Sequence, residues 1–227
     1  MTEQGGGRSI TARYEGHYDL YRAQSPGQTL GPFFHQGLLR TRQAFQLEHL
    51  CSDERDVFSS TVAGPDTRGQ RIGLSGQVLD GLGRPVADAL LELWQADAEG
   101  RYPTAGEASF SGFGRAATDG EGRYRFDTVR PGRVPGPGGR LQASHLNLIV
   151  GARGMSRHAF TRVYFDADPA LGEDPILALV PEARRATLLA VADPSQAPPP
   201  RGARETSLEL RFDLCLQGPG ETVFFDV

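Results

Sequence analysis

The sequence predicts a mainly β protein, folded as a two-sheet β-sandwich with long Pro/Gly-rich loops and a small helical patch. Several short segments alternate apolar and polar residues, which is the period of a strand with one buried face. The 227 residues include 29 glycines and 16 prolines, as expected for a protein with many turns. Strand-like segments do not alternate with long helical ones, so the βαβ pattern of parallel α/β folds is missing.

Six segments have the character of strands, and we expect six to eight strands in all. The most regular of them has leucine or phenylalanine at every second position from 208 to 216, which gives it one apolar face. Another is apolar at nearly every position, which is typical of a strand buried on both faces. The six segments are 72–78, 89–96, 123–129, 145–153, 160–166 and 207–217.

One region, Asp174–Val191, is predicted to be helical, as a single helix or as two short pieces. Asp174 can cap the first piece, with Pro175 in its first turn. Pro181 can open the second piece, where helix-forming residues follow. The connections around these elements are rich in turn residues and fall at 64–70, 80–85, 119–122 and 130–139.

The chain is predicted to hold one domain, residues 25–227, preceded by an N-terminal arm. Residues 1–24 are polar and glycine-rich at first and then carry three tyrosines without a clear period. We expect this arm to pack on a partner chain. Neither an internal repeat nor a break in composition marks a second domain.

Composition excludes several classes of protein. Charged residues make up 23% of the chain and the net charge is −4, with no basic block, which argues against a nucleic-acid partner. The longest apolar runs fall far short of the roughly 18 residues that a membrane helix needs, so no membrane partner is expected. Only two cysteines occur, Cys51 and Cys215, and we predict a reducing, cytoplasmic location.

Generic catalytic motifs are missing from the sequence. It contains no G-x-S-x-G, no phosphate-binding loop, no dinucleotide fingerprint and no H-E-x-x-H. A function therefore has to be inferred from less generic segments.

Such segments occur along most of the chain. The most specific are LELWQADAEGRY at 91–102 and GFGR at 112–115, which is followed by TDGEG. Others are QTLGPFF at 28–34, HLNL at 145–148 and the C-terminal LQGPGETVFFDV. Together they resemble the intradiol ring-cleavage dioxygenases over about residues 25–227. The resemblance implies the two-sheet β-sandwich of that family and cleavage of a catechol with O2.

The resemblance also implies a catalytic Fe(III) held by two tyrosines and two histidines, the latter as H-x-H on a strand. Here the matching residues are His145 and Asn147, so the second imidazole is missing. The Pro-rich stretch that matches one tyrosine contains Val134 and no tyrosine, and none lies between Tyr102 and Tyr124. We therefore expect no metal ligand in this chain, with His145 and Asn147 marking a vestigial position.

This pattern is similar to that of the alpha-type chain in two-chain members of the family. The resemblance implies that a partner beta chain binds the Fe(III), that the isolated chain is inactive and that the substrate is protocatechuate. The alpha-type chain would contribute the wall of the pocket, here Thr29, Gly31, Pro32 and Arg153. Gly31 allows close backbone approach, Thr29 offers a hydroxyl, and the Arg153 fork matches a carboxylate. Arg153 follows His145 by an even number of residues, so on a straight strand the two side chains would lie on the same face.

Two other functions remain open. The chain could be an active homomeric intradiol dioxygenase with unusual iron ligands. It could also be a non-enzymatic β-sandwich module that binds a small molecule or a protein. A coloured, iron-containing chain would favour the first of these alternatives, and the lack of any iron-binding partner chain would favour the second.

Overall fold

The computed structural model describes residues 29–31, 34, 59–103, 110–193 and 208–226. The predicted N-terminal arm lies outside these residues, as do Pro32 and Cys51. The described strands are β1 (Arg71–Leu79), β2 (Leu90–Trp94), β3 (Phe113–Ala117), β4 (Arg123–Val129), β5 (His145–Gly151), β6 (Ala159–Phe165), β7 (Leu189–Ala192), β8 (Leu208–Arg211) and β9 (Leu214–Cys215). The helical elements are α1 (Glu182–Arg185) and short 3₁₀ turns at Pro137–Gly139, Pro169–Glu173, Leu177–Leu179 and Ala186–Leu188.

The strands are hydrogen-bonded in the order β3-β2-β5-β6-β7-β8-β1-β4, and β9 also pairs with β1. Strand β7 is the link between two layers, because it pairs in parallel with β6 and antiparallel with β8. Most other neighbours are antiparallel, while β1 runs parallel to both β8 and β9. The mainly β architecture that the sequence predicts is therefore confirmed.

The core lies between the two layers. Leu74 and Phe126 from β1 and β4 belong to the same apolar cluster as Leu91, Leu93 and Leu148 from β2 and β5. All five side chains are fully buried. Each such burial contributes roughly 1.5–3 kcal/mol relative to an exposed side chain, so this cluster is the main source of stability.

The outer face of β5 and β6 is also covered. Along β5, the residues that alternate with the core leucines are His145 and Asn147, which point to the opposite face. A second apolar cluster, which includes Ala143, Tyr164 and Leu177, packs there beneath the loops around 143 and 177. His145 and Asn147 are therefore shielded from solvent, which sets the electrostatics of the site described below.

Three turns repeat one motif, Asp-x-x-Gly-Arg, beginning at Asp80, Asp97 and Asp119. In each turn the aspartate Oδ1 accepts hydrogen bonds from the backbone N–H groups two and four residues later. The glycine of each turn has a positive φ of 70–78°, a conformation that costs other residues energy. The aspartates of these segments are thus turn formers, as the sequence predicts for the connections at 80–85 and 119–122.

Strand β3 was not predicted. Its sequence, FGRAA, has low strand propensity, and it forms because it pairs with β2 residue by residue from Leu90↔Ala117 to Trp94↔Phe113. Gly114 is required within it, since an added Cβ would lie 2.6 Å from Val62 Cγ2. Tertiary pairing has overridden local preference here.

The predicted helical region is correct only in part. Asp174 does cap a turn, because its Oδ1 accepts from the N–H groups of Ile176 and Leu177 at 2.8 and 2.7 Å. Helical structure continues through Ala186–Leu188 and then gives way to β7, which the sequence placed in the helix. Ladders on both sides of β7 supply the hydrogen bonds that a helix would have made internally.

Several predicted strands end early, including β2, which ends at Trp94 and not at 96. The segment 207–217 divides into β8 and β9 because Asp213 Oδ1 accepts the Gln77 N–H at 3.0 Å, in place of a ladder carbonyl. Strand β5 ends at Gly151, not at 153. In the described part of the chain, no helix is long and apolar enough to span a bilayer.

Candidate functional site

Two of the predicted site segments lie side by side although they are far apart in sequence. The Leu30 N–H donates to the Met155 carbonyl at 2.9 Å, and the Gly154 N–H donates to the Leu30 carbonyl at 3.2 Å. This pairing brings the flanking Thr29 and Gly31 next to the turn that carries Arg153. We call this surface, formed by residues 29–31 and 153–155, the corner.

Arg153 lies in the turn after β5, and its side chain is 62% exposed. The expectation that it shares a strand face with His145 and Asn147 is wrong, because the strand has already ended at Gly151. Its Nε lies 3.1 Å from Asp88 Oδ2, so an ion pair orients the guanidinium. Asp88 was not singled out from the sequence, where nothing connects it to Arg153.

Thr29 and Gly31 are both exposed at the corner. No described atom lies within 4 Å of a Cβ built on Gly31, so nothing in the described part of the chain explains why glycine is present there. Pro32, the fourth predicted site residue, lies outside the described residues. The binding roles of these residues remain predictions.

The vestigial position lies elsewhere, on the buried outer face of β5. His145 is 4% exposed, and its Nδ1 lies 2.8 Å from the Ala143 carbonyl. Because a carbonyl can only accept, Nδ1 carries the proton in the neutral ring. Burial, with the nearby charge of Arg162, lowers the pKa of His145 to about 4, so the imidazole is neutral at pH 7.

Asn147, where the resemblance places the second imidazole, makes hydrogen bonds to protein. Its Nδ2 donates to the Trp94 carbonyl at 3.2 Å and to Tyr102 Oη at 3.3 Å. The Trp94 and Tyr102 rings stack at 5.7 Å with an interplanar angle of 11°. The amide is therefore part of a structural contact between β2, β5 and the turn that follows β2.

Arg162 is the unexpected member of this site. It is the register partner of Asn147 on β6, and its Nη1 donates to Gln142 Oε1 at 2.5 Å and to Tyr164 Oη at 3.4 Å. Its Nε is buried and finds no hydrogen-bond partner among the described residues. The signal in the sequence was an arginine in the middle of a mostly apolar strand, which sequence reasoning did not use.

Tyr164 completes the polar group on this face. It is fully buried, and its Oη donates to Asp174 Oδ1 at 3.3 Å. Burial raises the pKa of Tyr164 to about 12, which keeps the phenol protonated at neutral pH. Asp174 is itself held by backbone N–H groups, including that of Ala143 at 2.7 Å.

Known proteins match this chain over most of its length. A family model described as Dioxygenase matches residues 49–218. The protocatechuate 3,4-dioxygenase alpha chain of Burkholderia cepacia is 42% identical over 90% of this chain and 98% of its own. The alpha chain from Pseudomonas putida is 40% identical over 89% of this chain and 96% of its own.

This chain belongs to the intradiol dioxygenase family. The resemblance carried by residues 91–102 and the other quoted segments is thereby confirmed. The beta chain of the Burkholderia cepacia enzyme is also similar, at 36% identity over 77% of this chain and 76% of its own. Intradiol dioxygenases are non-haem iron enzymes, so the family implies iron in the functional protein.

Solved structures confirm the fold. Catechol 1,2-dioxygenase from Pseudomonas arvilla C-1 superposes with a TM-score of 0.55 at 28% identity, over 70% of this chain and 55% of that one. The dioxygenase domain of a carbohydrate-binding fusion protein from Streptomyces sp. SirexAA-E gives a TM-score of 0.54 at 25% identity, over 70% of this chain and 88% of that one.

The residues at the vestigial position do not fit a ferric ion. Fe(III) favours anionic oxygen ligands, whereas this face offers one imidazole, an amide that donates hydrogen bonds, and a phenol held protonated. Buried Val134 stands where the resemblance places a tyrosine. Among the described residues, no group of three or more His, Cys, Asp or Glu side chains is placed to hold a metal ion.

Proposed function

We propose that this chain is the alpha subunit of a protocatechuate 3,4-dioxygenase and that a beta chain supplies the iron. The assembled enzyme would insert both atoms of O2 between the two hydroxyl-bearing carbons of protocatechuate, giving 3-carboxy-cis,cis-muconate in aromatic compound degradation. The observation that carries the proposal is the 42% identity to a named alpha chain across nearly the whole of both chains. The misfit of the vestigial position to Fe(III) points the same way.

The corner is proposed as the part of this chain that faces the substrate. Protocatechuate carries one carboxylate, and an arginine fork can bind both of its oxygens. The contact with Asp88 is made at Nε of Arg153, and we place that carboxylate at the two terminal nitrogens. The Gly31 backbone and the Thr29 hydroxyl add further polar groups on the same surface. These groups bind and orient the substrate and take no part in proton transfer.

The exposure of the corner is consistent with a pocket that closes only in the assembly. A carboxylate bound to a guanidinium in bulk water gains little, because solvent screens the pair. If a beta chain covers the corner, water is excluded and the same contact becomes stronger. We also propose that residues 1–24 pack on that partner and that the assembly is cytoplasmic, the latter supported by the presence of only two cysteines.

The test compares the chain expressed alone with the chain co-expressed with a candidate beta chain from the same genome. We expect the isolated chain to lack stoichiometric iron and to consume no O2 with protocatechuate. Co-expression should give a coloured complex that is active and contains one iron per pair of chains. About one tightly bound iron per isolated chain, with activity, would favour the homomeric alternative. A chain that recruits no beta chain, and binds no catechol, would favour the non-enzymatic module.

A further inference from the structure

One imidazole on the outer face of β5, that of His145, has the orientation of a metal ligand. With Nδ1 of His145 donating to the Ala143 carbonyl, the lone pair of the ring lies on Nε2. A backbone carbonyl on one nitrogen is the usual way in which proteins orient a histidine that binds metal through the other. His145 is thus held as a ligand would be, although no second ligand accompanies it among the described residues.

The charge next to His145 is unfavourable for any metal cation. Arg162 lies opposite Asn147 in the antiparallel register, where paired Cα atoms are roughly 4.5–5.5 Å apart. Its guanidinium contacts the neutral groups of Gln142 and Tyr164, and no carboxylate among the described residues forms an ion pair with it. Asp174 is linked to it through the Tyr164 hydroxyl, so within the described residues the guanidinium has no direct counter-ion.

Arg162 is also poorly explained by stability alone. A buried donor without an acceptor costs free energy, and Nε of Arg162 is such a donor within the described part of the chain. A neutral side chain of similar length would avoid that cost while still packing near the Phe225 ring, which lies 6.0 Å from the guanidinium carbon. A partly buried charge retained at this cost suggests that the charge itself has a role.

We propose that the Arg162 guanidinium is a fixed cation that takes the place of the metal in this chain and excludes metal ions from the position of His145. The missing ligands are then only part of the reason why this position would not bind a metal ion. A divalent ion bound beside the guanidinium would meet direct repulsion, which the partial burial of Arg162 strengthens. The inference does not depend on the proposed function, since it holds equally for a non-enzymatic module.

Metal binding by four forms of the full-length, untagged chain tests the proposal. These are the parent chain, Asn147→His, Asn147→His with Arg162→Gln, and Asn147→His with Arg162→Lys. Each form is tested in the state in which it is purified, alone or in complex with its partner. The Ni²⁺ binding of the parent preparation is the background that is subtracted. The probe is Ni²⁺, measured by equilibrium dialysis and calorimetry at pH 7.5, and near-ultraviolet circular dichroism checks that each form is folded.

We expect Asn147→His alone to bind Ni²⁺ no better than the parent, although it restores two imidazoles on one strand face. With Arg162→Gln in addition, the chain should bind one equivalent at least ten-fold more tightly. With Arg162→Lys, which keeps the charge, binding should remain as weak as in Asn147→His. Arg162→Met with Asn147→His replaces the Gln form if that form fails to fold.

Three results would overturn the proposal. Tight Ni²⁺ binding by Asn147→His alone would show that the missing imidazole was the whole obstacle. Equal binding by the Lys and Gln forms would assign the effect to shape and not to charge. A folded Gln or Met form that still binds no Ni²⁺ would show that removal of the charge is not sufficient.

Discussion

Replacing Arg153 by alanine in the assembled two-chain enzyme should weaken the use of protocatechuate and spare plain catechol. The reason is chemical, because only protocatechuate carries the carboxylate that the guanidinium is proposed to bind. The two substrates share the catechol hydroxyls, so any effect on ring cleavage itself would appear with both. The ratio of kcat/KM for the two substrates therefore isolates the contact.

The expected magnitude follows from the surroundings of Arg153. A hydrogen bond to a charged group contributes about 1.5–3 kcal/mol. Because the Arg153 side chain is 62% exposed in this chain and already pairs with Asp88, we take the lower end of that range. This corresponds to about a ten-fold loss of kcat/KM for protocatechuate. If the beta chain excludes water from the corner, the loss moves toward about a hundred-fold.

The assay is oxygen uptake at pH 7 with each substrate, on complexes of equal iron content. Arg157→Ala is the matched control, since Arg157 is also exposed and lies four residues further along the same connection. The control should retain the parent ratio of kcat/KM values. Equal losses on protocatechuate and catechol in Arg153→Ala would refute the carboxylate contact and indicate a structural role.

Three further predictions concern neighbouring groups. Asp88→Asn removes the charge that orients Arg153. Because exposed ion pairs contribute about 0.2–1 kcal/mol, we expect up to about a five-fold rise in KM for protocatechuate with kcat unchanged. A change confined to kcat would contradict a positioning role. Burial lowers the pKa of His145 from 6.5 to about 4, so the unfolded chain binds this proton more readily and stability falls as pH drops through that window. The loss attributable to His145 should be up to about 3 kcal/mol between pH 7 and 4, measured as the difference in urea denaturation between the parent and His145→Gln; identical pH profiles would show that the ring titrates normally. Asn147→His breaks the hydrogen bonds to Trp94 and Tyr102 and should cost roughly 1–3 kcal/mol in urea denaturation, whereas an unchanged midpoint would show that those bonds contribute nothing.

Local pattern was enough to predict most strands. Segments such as 123–129 alternate apolar and polar residues, and one face of each must be buried wherever the strand is placed. The Asp-x-x-Gly-Arg turns were equally readable, because the aspartate and the positive-φ glycine satisfy the turn within five residues. The residues that cause features of this kind all lie within a short stretch of chain.

The misassigned elements lack such a local cause. Strand β3 has the residues of a loop, and β7 has those of a helix, yet both are strands because a neighbouring strand offers unpaired backbone groups. The same holds for the end of β5, which decides that Arg153 lies in a turn and not on the face of His145. Strand ends and strand pairings depend on partners that are distant in the sequence, so the local pattern does not predict them.

The sequence by itself determined the family and the β-sandwich, and it predicts that the metal ligands are missing, because each follows from which residue types stand at which spacing. Only the tertiary structure decided what replaced those ligands and what surrounds Arg153. The register of β5 and β6 places Arg162 opposite Asn147 and Tyr164 opposite His145, and Asp88 meets Arg153 across 65 positions of chain. Charges interact through space, so their partners are set by the packing of the two layers and not by their separation in sequence.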